Sequence, residues 1–204
     1  MALRSRETTG RTGNRTPVKE RLLHVATRLF ARHGFEGTSV QDIVDAAGVT
    51  KGAMYHYYGS KDDLLYEVYH QLLSMQISHL DEIAAGPGSA EQRLRAAAAD
   101  VVSTSLDNLD DMIVFFRSLH MLPDDKQAKV RAERRRYHDK FKALVEEGVA
   151  AGTFRSDLSP DVVVHYFLSV VNQLGAWYRP DGPLSPPQVG ELFTELLIGG
   201  LATR

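Results

Sequence analysis

Cysteine is absent from this chain. That excludes a disulfide framework and a thiolate metal site, and it suits a reducing compartment. Long apolar runs are absent too: every one is broken well before the roughly 18 positions of a membrane span. Residues 1–17 are polar and Arg-rich, with no apolar segment of the secretory-signal kind. The expectation is a cytoplasmic chain with no membrane partner. Strand-like alternation and internal repeats are missing as well, and so are the common catalytic fingerprints. There is no G-x-S-x-G, no phosphate-binding loop and no dinucleotide motif. The eight histidines show no H-x-x-x-H spacing. No catalytic residue, no cofactor and no metal site is expected, and an enzyme is the weakest functional class.

What is present is an uneven charge. The chain nets −2, yet residues 1–61 hold ten Lys/Arg against five Asp/Glu, and the remainder holds fourteen against twenty-one. A basic front on an acidic body points to a polyanion at one end. A basic, solvated tail would produce part of the same imbalance.

Helical punctuation runs along the chain. Thr16-Pro17 predicts an N-cap and a first-turn proline, followed by the apolar stripe Leu22, Ala26, Leu29 and Phe30. Gly34 ends that helix. Thr38 with Gln41, or Ser39 with Asp42, can box the start of a second, which Gly48 stops. Thr50 caps a third helix, through about Tyr57. Ser60 caps a fourth that reaches Ala85 before Gly86-Pro87-Gly88. Longer helices follow over about 90–106, 109–121 and 125–151. An eighth starts at Pro160 and runs to Trp177, and a ninth starts at Pro186. The fold class is all-α, with about nine helices by this periodicity. Residues 1–15 read as a basic, disordered tail, 16–60 as a helix-turn-helix domain, and 61–204 as a larger ligand-binding and dimerisation domain.

The turn Ala47-Gly48-Val49-Thr50 between two short helices makes a helix-turn-helix. On a wheel of about 100° per residue, Met54 and Tyr58 face inward. Gly52, Ala53 and His56 lie opposite, and Lys51, Tyr55 and Tyr57 line the edges. A small-residue face lets a helix backbone approach base edges in a major groove about 12 Å wide. Ala53 can touch a thymine methyl, and His56 can exchange a hydrogen bond with a base or phosphate. Lys51 and Tyr55 can reach flanking phosphates, with Thr50 at the end that a recognition helix presents. Lys61, Ser39 and Thr38 stand at helix starts, where anions are favoured. A Gly-Ala face would equally suit a tight helix–helix contact inside a bundle.

The unbroken run from Ala26 to Val68 carries Phe30, Gly34, Phe35, Thr38, Ser39, Ile43, Ala46, Gly48, Val49, Lys51, Gly52, Tyr55, Ser60, Lys61 and Leu64. In that register it resembles the N-terminal domain of the TetR family of bacterial regulators. Tyr58 departs from the family's usual phenylalanine but keeps the ring. The resemblance implies a homodimeric repressor of double-stranded operator DNA, released by a small ligand in the larger domain. It carries DNA contact onto Thr38, Ser39, Thr50, Lys51, Gly52, Ala53, Tyr55, His56 and Lys61. An activator, or a ligand-binding scaffold that no longer reads an operator, would share this sequence.

In the larger domain the last two helices read as a dimer seam. The eighth is apolar almost all round, and the ninth carries Val189, Leu192, Phe193, Leu196, Leu197 and Gly200. A two-fold pair of each would form a four-helix contact. On the eighth helix His165, Ser169 and Asn172 form a polar stripe, suited either to pairing across the seam or to orienting a ligand. Met112, Phe115, Phe116, His120 and Trp177 are candidate cavity walls, although such residues often form plain core. Lys129, Arg131, Arg134, Arg135, Arg136, Lys140 and Lys142 form a basic run; such a run is ordinarily a solvated face, but a phosphate-bearing ligand would use it near a cavity mouth. The C-terminal stretch from Trp177 to Leu201 resembles the branch of the family that controls fatty-acid or steroid breakdown in response to acyl-CoA thioesters. That resemblance implies a lipophilic or acyl-CoA ligand.

Overall fold

The computed structural model describes residues 16–203, so the tail expected over 1–15 lies outside the described residues. Helix α1 (Val18–His33) starts one residue later than its sequence suggests. Pro17 is extended, at φ −50° and ψ 144°, and is the cap itself, its carbonyl accepting from Arg21 N–H at 3.0 Å. Helix α2 (Val40–Ala47) takes the second of the two capping options: Ser39 and Asp42 satisfy each other's backbone N–H groups. The link to α3 (Lys51–Tyr57) passes through Gly48, whose φ of 63° lies where a side chain is strained.

Helix α4 (Lys61–Ala85) is capped by Ser60, and α5 (Ala90–Asp107) by a Ser89–Gln92 box. Helix α6 (Leu109–Arg117) stops short of the expected Met121; a 3₁₀ turn covers Leu119–Met121 before Pro123 and α7 (Asp124–Ala150). The eighth expected helix is two pieces, α8 (Pro160–Asn172) and α9 (Leu174–Trp177). The break at Gln173 sends Leu174 fully into the core. It also lays Gly175 against α6, where a Cβ would stand 3.0 Å from Ile113 Cγ1 and 3.2 Å from its backbone nitrogen. Helix α10 (Pro186–Leu201) closes the chain. The β-pairing among the described residues is a single bridge, Phe154 to Ala202. No helix there is long and apolar enough to cross a membrane.

Two apolar clusters hold the molecule. One joins α5, α8 and α10 to the far halves of α4 and α7, around Leu94, Phe141, Val164 and Leu197. The other packs α1–α3 around Leu22, Ile43 and Met54 and continues along α4 to Leu73. It also takes in Met112, Val114 and Phe115 of α6. The head therefore shares its core with the wall of the larger domain, through the contacts of α1 and α4 with α6.

Candidate nucleic-acid interface and ligand cavity

The wheel of the third helix becomes a real face. Met54 is fully buried and Tyr58 nearly so, its hydroxyl donating to Lys19 O at 3.2 Å. Lys51, Gly52 and His56 are exposed, Ala53 is half-buried, and Tyr55 shows 52% of its surface. Thr50 Oγ1 accepts from Ala53 N–H at 3.1 Å, so this hydroxyl caps the helix. Gly52 stands in the open: a Cβ there would meet Thr50 Oγ1 at 3.8 Å and nothing closer. The fold makes no demand for glycine at this position.

Two other expected contacts are turned inward. Thr38 is 1% exposed, and its hydroxyl donates to Gly34 O at 2.8 Å, because the loop between α1 and α2 folds back on the end of α1. Lys61 donates to Phe35 O at 2.8 Å and to Thr38 O at 2.9 Å, and its Nζ lies 4.1 Å from the Phe35 ring centre. Its ammonium braces the same loop. Ser39 stays at the surface, with its hydroxyl donating to Asp42 Oδ2 at 2.7 Å.

A cavity of about 270 Å³ lies between α4, α5, α7 and α8. It is lined by four of the expected residues: Phe115, His165, Ser169 and Asn172. The other four lie elsewhere. Met112 is buried in the head-side core, because α6 packs on α1. Phe116 is exposed and lines a smaller adjoining hollow of about 250 Å³. His120 is exposed in the 3₁₀ turn. Trp177 follows the break in the helix and packs on Phe193 of α10, 6.1 Å between ring centres.

The rest of the lining includes Gln76, Ser105, Tyr137 and His138, together with Arg131, Arg134 and Arg135. Gln76 was not among the expected residues, although it stands as the polar member of the inward stripe of Leu72, Leu73, Ile77 and Leu80. Its amide faces Thr104 Oγ1 at 3.3 Å and Ser105 Oγ at 3.4 Å. The arginines repeat at helical spacing on α7, and Arg134 lies 5.1 Å from the Phe115 ring centre. Apolar walls, uncharged polar groups and guanidinium groups on one side suit a ligand with an apolar body and an anionic end.

Residues 22–68 match the family model "Bacterial regulatory proteins, tetR family", and residues 87–201 match "Tetracyclin repressor-like, C-terminal domain". The transcriptional repressor KstR2 of Mycolicibacterium smegmatis is 29% identical over 196 residues, 90% of each chain. The crystal structure of the regulator PfmR from Thermus thermophilus aligns with a TM-score of 0.82 at 28% identity, covering 90% of this chain and 100% of that one. AibR, crystallised with isovaleryl coenzyme A and operator DNA, aligns with a TM-score of 0.80 at 23% identity, covering 89% and 98%; that likeness speaks for the fold alone.

Proposed function

The chain belongs to the TetR family of bacterial regulatory proteins, and from that premise we propose that it is a dimeric repressor whose α3 reads an operator and whose central cavity takes the releasing ligand. The observation that carries the reading is the outer face of α3. Lys51, Gly52, Tyr55 and His56 point away from the chain, with Ala53 between them. Gly52 costs a helix about 0.5–1 kcal/mol against alanine, and no packing in the fold requires it. A base pair approaching the backbone supplies the reason. Ser39, Thr50 and Lys51 add contacts that set register on the phosphates.

The ligand is an amphipathic anion, with an acyl-CoA thioester as the specific candidate. The α7 arginines would hold its phosphates, and the space beside Phe115 and Leu168 its acyl part. The KstR2 relative is a repressor, and AibR, a protein of the same fold, was crystallised with isovaleryl coenzyme A and operator DNA. Release follows only if the ligand binds the DNA-incompetent arrangement more tightly.

Fluorescence anisotropy with DNA flanking the protein's own gene tests the DNA reading, against a random fragment at stated salt. Specific binding by a dimer, weakened on adding long-chain or sterol-derived acyl-CoA, is the expected result. Binding no tighter than to random DNA would count against a local operator. Unchanged affinity at saturating acyl-CoA would remove this ligand class.

A further inference from the structure

Where α7 meets α8, three metal-ligating side chains converge. His138 comes from α7, and Asp161 and His165 stand one helical turn apart on α8. One donor atom from each lies within 4.8 Å of the other two. His138 Nε2 is 3.7 Å from Asp161 Oδ1, and His165 Nε2 is 3.6 Å from Asp161 Oδ2. The two imidazole rings are 4.3 Å apart, centre to centre.

These distances are too long for hydrogen bonds, which end near 3.2 Å. They are close to the separation of about 3.4 Å between neighbouring donors on a tetrahedral ion with bonds near 2.05 Å. A second observation is independent of them. The His138 side chain is only 8% exposed, yet its Nε2 has no hydrogen-bond partner. Buried polar atoms are nearly always paired. Its Nδ1 faces Asp139 Oδ1 at 3.5 Å. That contact is also too long for a firm hydrogen bond, so the buried ring has no strong partner of its own and both its nitrogens remain available, with Nε2 on the side of the cluster. An acid near a helix start is ordinary, since the dipole favours it. That explains Asp161 but neither the orphaned nitrogen nor the two facing histidines.

We infer that His138, Asp161 and His165 form a binding site for a divalent transition-metal ion of the zinc type. Two imidazoles and one carboxylate favour zinc, cobalt or nickel over magnesium or calcium, which prefer all-oxygen sites. Three protein donors leave one position of a four-coordinate ion for water or an anionic group. His138 and His165 both line the central cavity, so that position lies where an anionic ligand would be held. A bound ion would also tie α7 to α8 across the cavity rim. The inference stands on these side chains alone and does not need the acyl-CoA reading.

The test uses full-length protein with any affinity tag removed, titrated with Zn²⁺ by calorimetry and with Co²⁺ by visible absorption. The expected result is one ion per chain, cobalt d–d bands of low-symmetry coordination, and a melting temperature raised by Zn²⁺. His165→Ala and Asp161→Asn replace half-exposed side chains, so both variants should fold; each should weaken the metal at least about tenfold. His70→Ala should bind as the parent does, because His70 pairs with Glu133 at a separate place. Absence of stoichiometric binding, or parental affinity in both site variants, overturns the site. So does loss of binding in His70→Ala alone.

Discussion

The ammonium of Lys61 is held by two carbonyl oxygens on the loop that leads into α2. A charged donor bonded in a partly buried place contributes about 1.5–3 kcal/mol. Lys61→Ala should therefore lower the melting temperature of the head and weaken every DNA equally. A direct phosphate contact would make a different mark, lowering the slope of log K against log salt by about one. An unchanged slope with a lower melting point makes Lys61 a brace. A slope reduced by one with an unchanged melting point makes it a contact. Gly52 gives the opposite test. Gly52→Ala should stabilise the fold by about 0.5–1 kcal/mol while reducing operator affinity; urea melts and anisotropy on one sample read both. Equal or tighter DNA binding would remove the argument for close approach. Asp111 sits on α6 beside a hollow lined by Glu20, Arg21 and His24 of α1. Burial pushes its carboxyl up to about 6, against roughly 3.9 in an unfolded chain. Between about pH 4 and 6 the folded state keeps a proton that the unfolded chain has released, so this group's contribution falls as pH rises through that window. Asp111→Asn should then stabilise the protein above pH 6, with the gain shrinking toward pH 4. The same gain in urea midpoints at both ends of the window would show that Asp111 does not titrate there.

Helix α4 joins the two functions, running from Lys61 beside the head to Gln76 in the cavity wall. Tyr69 is its fixed point: the buried hydroxyl donates to Val114 O and Phe115 O at 3.1 Å each, and burial pushes its pKa up. These bonds tie the end of α6, including the cavity residue Phe115, to α4. Most elements were legible in the sequence because their signals are local. Ser39, Thr50, Ser60 and Ser89 each cap a helix, and the small face opposite Met54 follows from periodicity alone. The signals that failed are tertiary. Gly175 is the one local mark near the break at Gln173, and an isolated glycine does not by itself end a helix; the break follows from packing of Gly175 on Ile113. Thr38 and Lys61 read as anion contacts because they stand at helix starts; the folded loop adds carbonyl partners that no local signal announces, and the salt-slope test above decides whether Lys61 also meets phosphate. Half the expected cavity residues lie elsewhere for a similar reason. The Met and aromatic stripe of α6 has two sides, and sequence does not say that α1 takes Met112. The i, i+4 pair Asp161 and His165 was visible, but its partner His138 comes from another helix.

At the scale of the whole molecule, the apolar surface on α8 is divided. Val164, Phe167 and Val171 are buried within the chain, whereas Val162, Tyr166 and Val170 form an outer stripe at i, i+4 and i+8. Tyr166 shows 69% of its surface, and on α10 Leu196 shows 72% beside Leu192 at 51%. Large apolar side chains left exposed on both α8 and α10 suit a self-complementary contact. A dimer would set two α3 helices at the fixed spacing that successive major grooves require. Either head alone lacks that geometry, and linking two sites contributes about 10²–10⁴ in apparent affinity without a new contact. Leu196→Glu and Tyr166→Glu place a charge where the partner's apolar face would lie, while the side chains within each chain keep their packing. Both variants should sediment as monomers, retain their helical circular dichroism, and lose operator affinity by a factor in that range. A Leu196→Glu protein that stays dimeric would move the seam off α10. A monomer with parental operator affinity would mean that one head carries recognition alone, and the two-fold spacing argument would fall with it.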